Sequence, residues 1–485
     1  MLPTGSSNPP GVTRSERYLA QLCERSFLSL WSHPNLYRDR AKELADLVVI
    51  FGDHVIVFSD KSWRFDASSP HGWSRWYRES IAKSAKQLFR AEGWIRKHRD
   101  RVFLDSKCER RFPLDLPAEP RIHLVAVALG AADACRQHFG GGSGSLILSM
   151  LADGTTPFTV GDIDRTRPFV HVFDETSLDL VMSELDTVDD FVRYLSAKEL
   201  FIRSGKLISA AGEEDLLACF LQRIDDKKGE HDFVFDGDPT GVIIDDFWEP
   251  FTRRPEYTAK KKADEVSYLW DRIIETIAKH VVSGTLIVGT EHSLSDHERG
   301  LRLMAAERRV ARRGLSKFLE GLFARAHDGD MFARSMPASE KGHGYVFLTL
   351  RRSAAFGSEE TYRAARLRVL QDYCDTVKLR VPETRFLVGL AFGAEPDDGS
   401  IDFVVTDFDG WTDEDARRAD EIRQRRRWSD GSDLAQIRGQ ELEYPASPAT
   451  PPQTASPTPE RRADDGRRRR EKRKAQRAAR KKNRR

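Results

Sequence analysis

The stretch Glu43-Leu-Ala-Asp46-Leu-Val-Val-Ile-Phe-Gly52-Asp53-His54-Val-Ile-Val-Phe-Ser59-Asp60-Lys61 holds two apolar, largely β-branched runs separated only by Gly52 and Asp53. Such a pair between two apolar runs is a strong hairpin signal, because the turn geometry it favours matches the twist of the flanking strands. A two-residue turn also fixes the register: facing residues have numbers that sum to 105, so Val48 faces Val57, Ile50 faces Val55 and Asp46 faces Ser59. Side chains alternate along a strand, which puts Lys61 on the same face, two residues beyond Ser59. One end of the hairpin therefore presents an acid and a lysine together. The opposite face, Leu47, Val49, Phe51, Ile56 and Phe58, is apolar too, which predicts a hairpin covered on both sides.

Working outward, Glu16–Trp31 carries Leu19, Leu22, Cys23, Phe27, Leu30 and Trp31 close to the helical period, and Trp73–Arg96 does the same with Trp76, Ile81, Ala85, Leu88, Ala91 and Ile95. Ile122–Leu129 reads as a buried strand. The order α, β, β, α, β predicts a mixed α/β domain over 14–137. The Gly-rich run His138–Ser145 lacks the Gly-Lys-Ser/Thr ending of a phosphate loop, so 138–150 reads as a flexible linker. A mainly helical middle region is expected over 151–335, with a long helix opened by a capping box of Ser295 and Glu298. A small α/β region is expected over 336–430, and Asp402, Asp407 and Asp409 read as a solvated acidic turn. Trp63, Phe65, Trp73, Trp76 and Tyr77 form an aromatic group that either packs a helix on the sheet or stacks bases.

A chain of 485 residues with 39% apolar content is too long for a single small module and apolar enough to fold over most of its length. The longest apolar runs, such as 47–51 and 124–129, are far shorter than the roughly 18 residues of a membrane span, so no membrane partner is expected. Residues 1–12 lack a basic region followed by an apolar one, and the five cysteines form no C-x-x-C pair; both point to the cytoplasm and away from a zinc ribbon. The histidines show no metal-ligand spacing. The formal charge of +2 conceals an asymmetry: from Pro459 onward 15 Lys or Arg stand against four acids, a net of +11, which leaves −9 for the rest. A Pro-rich linker and basic tail, 440–485, is expected to be disordered when free and able to neutralise phosphates without regard to sequence. It is equally readable as a solubilising tail, or as one that folds back on the acidic body.

Residues 43–61 resemble the core of the PD-(D/E)XK nucleases, in particular the nuclease-related (NERD) and Mrr-like branches. In that pattern an Asp opens one strand, the chain turns at a Gly, and the next strand ends in an acid, one residue and a Lys. The resemblance covers Glu16 to Gly130 and implies a restriction-endonuclease-like α/β/α core. It implies Asp46 as first metal ligand, Lys61 as catalytic lysine, and Glu16 and Gln87 in support. It also implies Mg²⁺ or Mn²⁺ as cofactor, DNA or RNA as partner, phosphodiester hydrolysis as activity, and restriction, repair or phage defence as setting. The departure is Ser59, which stands where the second acid belongs. The nearest carboxylate, Asp60, points to the other face of a regular strand, and only a bulge would bring it beside Asp46. A serine hydroxyl carries no charge with which to hold a hard dication. The acid has therefore either migrated to Asp60, Glu43 or Glu16, or the fold is catalytically degenerate and acts as a nucleic-acid- or ribosome-binding protein. In a third reading the acidic body is an interaction subunit for a basic protein.

Overall fold

The computed structural model describes residues 13–39, 42–225, 230–287, 293–325, 331–395, 398–428 and 441–445; the basic tail and His292 lie outside them. The protein is mixed α/β and divides into two compact units, one made essentially of residues 13–259 and the other of Lys260–Pro445.

The first unit opens with α1 (Arg14–Phe27), β1 (Ser32–Arg38), β2 (Lys42–Phe51) and β3 (His54–Ser62). It continues with α2 (Gly72–Trp76), a π-helical turn (Tyr77–Ala82), α3 (Lys83–Lys97), β4 (Arg121–Leu129) and α4 (Ala132–Phe139). Then come β5 (Ile147–Ser149), β6 (Thr159–Val160), β7 (Val170–Phe173), α5 (Glu175–Glu184), α6 (Val188–Arg203), β8 (Leu207–Ala210) and α7 (Glu213–Leu221). The unit closes with β9 (Ile224–Asp225), β10 (Glu230–His231), β11 (Val242–Ile244), α8 (Trp248–Thr252) and the start of α9 (Pro255–Asp264).

Its principal sheet has the order β1-β2-β3-β4-β7. β1, β2 and β3 are antiparallel, while β3, β4 and β7 run parallel. The hairpin register is the expected one, from Leu47 opposite Phe58 to Phe51 opposite His54, with Gly52 at φ 56°, where a side chain would be strained. Both faces are covered, as the two apolar sets require. On one side Phe27 of α1 and Phe58 of β3 meet Phe191 of α6, at 5.0 and 6.5 Å between ring centroids. On the other, Ala85, Leu88 and Ala91 of α3 are buried against the sheet.

Several boundaries differ from the sequence expectation. α1 stops at Phe27 because Leu28 turns to φ 69°, which frees Ser32–Arg38 to form the edge strand β1. The Gly-rich run does not link domains: it closes α4 through Gly140 in the left-handed region and leads into β5 within the same unit. A Cβ on Gly144 would sit 2.8 Å from the carbonyl oxygen of Ala132, so a close turn, and not flexibility, accounts for that glycine. The unit boundary falls between 259 and 260; within 151–335 the short strands that the sequence suggests at 158–160 and 169–173 form as β6 and β7, and β8 to β11 are the unexpected ones.

The second unit comprises α10 (Tyr268–Ser283), α11 (Leu294–Ala305), α12 (Arg309–Arg325), β12 (Met331–Pro337), β13 (His343–Leu350), α13 (Glu359–Arg380), β14 (Phe386–Gly393), β15 (Ile401–Asp407) and α14 (Asp413–Arg425). Its sheet runs β12-β13-β14-β15, with only β13 and β14 parallel. The capping box of α11 is Ser293 with Asp296, two residues earlier than expected. Asp402 is not a solvated turn: it is buried in β15 and bound by Arg363 and Arg366 at 2.7 and 2.6 Å. Among the described residues no helix is long and apolar enough to cross a membrane.

Phe58 is fully buried where β3 meets α6. Phe58→Ala should cost about 3–5 kcal/mol of stability, read as a shift in urea midpoint; a midpoint within error of the wild type would refute this account of the core.

Candidate active site in the hairpin fork

The β2–β3 ladder ends at Leu47 and Phe58, one pair before Asp46 and Ser59. Beyond that point β3 pairs only with β4, without a register break, through to Ser62. The two strands part as a fork, and the backbone N–H of Asp60 loses its ladder partner. The Asp46 carboxylate takes its place: Asp60 N donates to Asp46 Oδ2 at 2.5 Å. Lys61 Nζ donates to the same oxygen at 3.3 Å and to the Asp60 carbonyl at 3.1 Å. Gln87 Nε2 of α3 donates to Asp46 Oδ1 at 3.1 Å. Ser59 Oγ lies 3.3 Å from both Gln87 Oε1 and Ser84 Oγ. Asp46, Ser59, Lys61 and Gln87 thus converge on the α3 face of the sheet, and the buried Asp46 carboxylate is held by three donors.

Asp60 and Glu16 do not join them in the same way. With no bulge in β3, the Asp60 carboxylate stays on the α1 face, beside Ser15 and Glu16. Glu16 completes the capping box of α1, its Oε2 accepting from Thr13 N at 2.7 Å. The Asp60 side chain is the anomaly of the site: the residue is 4% exposed, and neither carboxylate oxygen makes a hydrogen bond of good geometry, although the Ser15 hydroxyl lies close to it. Burial pushes its pKa up to about 6, reinforced by Asp46 and Glu16 and opposed by Ser15 and Lys61. Glu43 is exposed at the mouth of the fork, but partial desolvation of its carboxyl, reinforced by Asp46 and Glu16 and opposed by Lys61, pushes its pKa up to about 7.

The fork opens into a cleft of about 470 Å³ lined by Arg38, Glu43, Leu44, Lys61, Lys83, Lys86, Gln87 and Arg90. Five of these are cations and one is an acid. Lys83, Lys86 and Arg90 occupy one stripe of α3 at spacings of three and four. Lys83 pairs with Glu79, whereas Lys86 and Arg90 are exposed and have no acidic partner among the described residues. The sequence reading missed this stripe, although its helical spacing is visible in Lys83-Ser-Ala-Lys86-Gln-Leu-Phe-Arg90. The aromatic group, by contrast, is mainly packing: Trp76 is fully buried, and Trp73 stacks on it and donates to the Gly154 carbonyl at 2.9 Å.

Among the described residues no three His, Cys, Asp or Glu side chains are gathered as a cage for a metal ion. Mg²⁺ needs no such cage, since it keeps several waters and takes one or two carboxylates plus substrate oxygens. On the cleft side of the sheet the carboxylates placed for such an ion are Asp46 and the nearby Glu43, because the Asp60 carboxylate lies on the other face. No protein-family model, curated protein or solved structure matches the chain.

An ionised Asp60, buried and only weakly compensated by Ser15 and Lys61, is a liability for the fold. Its folded pKa of about 6 lies above the usual 3.8, so the folded state binds the extra proton between those values and loses stability as pH rises through them. Asp60→Asn removes that loss. The variant should match the wild type near pH 4 and gain stability between pH 4 and 6, up to about 3 kcal/mol and flat above; parallel stability–pH curves for the two proteins would show that Asp60 is not the group described.

Proposed function

We propose that the cleft holds the phosphodiester backbone of DNA or RNA and that the chain is a metal-dependent nuclease of the PD-(D/E)XK kind. The observation that carries this reading is the meeting of Asp46, Lys61 and Gln87 at an open strand fork, beneath a wall of cations of which two have no acidic partner among the described residues. The order of α1, three antiparallel strands, α3 and the parallel β4 supports the same reading.

In this reading Asp46, with Glu43 near, would hold Mg²⁺ or Mn²⁺ on the cleft side of the sheet, and Asp60, on the α1 face, would not be a ligand. The ion, when bound, supplies Lewis-acid polarisation of the phosphate and a more acidic water. The remaining work belongs to the chain. Lys86 and Arg90 engage phosphates on either side of the scissile one, as a point charge and a planar fork. Gln87 and the Asp60 N–H keep Asp46 in one orientation. Lys61, one-third exposed toward the cleft, stands where negative charge grows on the phosphoryl oxygens as the water oxygen bonds to phosphorus, the ester P–O bond breaks and the leaving oxygen takes a proton.

Ser59 favours a second reading, a degenerate nuclease fold that binds nucleic acid without cutting it, because the position next to Asp46 offers a hydroxyl in place of a charge. One experiment separates the two. Full-length protein is incubated with labelled single- and double-stranded DNA and RNA in Mg²⁺, Mn²⁺ or EDTA, beside Asp46→Ala and Lys61→Ala. Metal-dependent products, reduced about 10²-fold or more in each variant, are expected; variants as active as the wild type would sink the nuclease. Absence of products under every metal, with salt-sensitive binding weakened by Lys86→Ala/Arg90→Ala, would establish the second reading.

A further inference from the structure

The second unit carries a cleft of about 650 Å³ lined by Met331, Arg368, Arg425, Arg426 and Trp428. It is a shallow, open cleft with a mainly polar lining. The lining is unusual in its charges. Arg368, on α13, and Arg425, in the last turn of α14, are exposed and have neither an ion pair nor a hydrogen bond among the described residues. Arg426 is committed: it binds Asp372, with its Nε 2.7 Å from Oδ2, and lies over the Trp428 ring at 5.3 Å from the centroid. Tyr373 meets the same ring edge-on, with centroids 5.2 Å apart and planes at 70°. Trp428 is thus held in one orientation by two neighbours and remains partly exposed toward the cleft.

Three guanidinium groups with a single paired acid make the cleft locally positive, so an anion entering it is attracted. A guanidinium pair suits a phosphate, which it grips through planar, bidentate hydrogen bonds. A fixed indole ring suits a second planar ring, and Met331 adds a polarisable apolar edge. The ligand that has both an anion and a planar ring is a nucleotide.

We propose that this cleft binds a nucleotide, with its base against Trp428 and its phosphate between Arg368 and Arg425, free in solution or as one unit of a single strand. All the lining residues lie within Lys260–Pro445, so the site does not depend on the reading of the hairpin fork.

Photo-crosslinking tests the proposal on the full-length chain, because an iodinated base joins covalently to an aromatic side chain that it stacks on, and the joined peptide names the residue. The probes are 5-iodouridine monophosphate and a short single-stranded oligonucleotide containing 5-iodouridine. The expected product is a peptide carrying the base on Trp428, reduced about tenfold or more in Arg368→Ala/Arg425→Ala. Thermal unfolding checks that the exposed arginines can be removed without loss of fold. Crosslinking by the monophosphate identifies a free nucleotide site and crosslinking by the oligonucleotide alone a strand site; both support the proposal. Crosslinks that avoid Trp428, or that reach it undiminished in the Arg368→Ala/Arg425→Ala protein, overturn it.

Discussion

The hydrogen bond from the Asp60 N–H to the Asp46 carboxylate is the contact on which the candidate active site depends. Where β2 leaves β3, one backbone donor loses its ladder partner inside the protein, and a buried orphan donor costs on the order of 1–3 kcal/mol. Asp46 supplies the missing acceptor, which lets the strands part without that loss. The same carboxylate gathers Lys61 and Gln87, so the group that stabilises the fork also collects the polar residues of the site. Its ion pair with the partly exposed Lys61 adds little stability, on the order of 1 kcal/mol or less. That pair is better understood through the position it gives the lysine than through its energy.

How far the sequence discloses this differs from element to element. The hairpin is legible because its two apolar runs and its Gly-Asp turn agree, and the register follows from counting. The direction of Asp60 is legible from strand alternation and holds because β3 carries no bulge. The fork is not legible: counting pairs Asp46 with Ser59 but gives no sign of where the ladder stops, a point set by the packing of β2 against β1 and α3. β1 escapes notice because Ser-His-Pro-Asn-Leu-Tyr-Arg has neither apolar alternation nor a regular backbone. Pro34 suits an edge strand, and Asn35 sits at φ 54°. β12, also an edge strand, is missed because Met-Phe-Ala-Arg-Ser-Met-Pro lacks apolar alternation, although its pairing with β13 is regular.

The acids and cations show a second limit. A lysine or arginine at helical spacing reads as a solvated face unless the opposite wall is known, so the α3 stripe gains meaning only when β3 brings Lys61 across from it. Asp402 fails in the other direction: three acids close in sequence look like a turn until Arg363 and Arg366, from a helix some forty positions earlier, are seen to bury and pair one of them. In both cases the missing information is the partner, which lies on another element and leaves no local mark.

The distribution of charge gives these clefts a common logic. The chain apart from its tail carries a net −9, so most of its surface repels a polyanion at distances up to the Debye length, about 8–10 Å. Against that background a phosphate is attracted only where cations are concentrated and acids are absent or already paired. The fork cleft is one such place, with Lys86 and Arg90 unpaired among the described residues, and the Trp428 cleft is another, with Arg368 and Arg425 likewise. On the proposed reading, a basic tail with a net +11 raises the local concentration of nucleic acid without selecting a position on it. The repelling body then confines close contact to the clefts. Attraction and placement are thereby assigned to different parts of one chain, and a net charge near zero follows from that division.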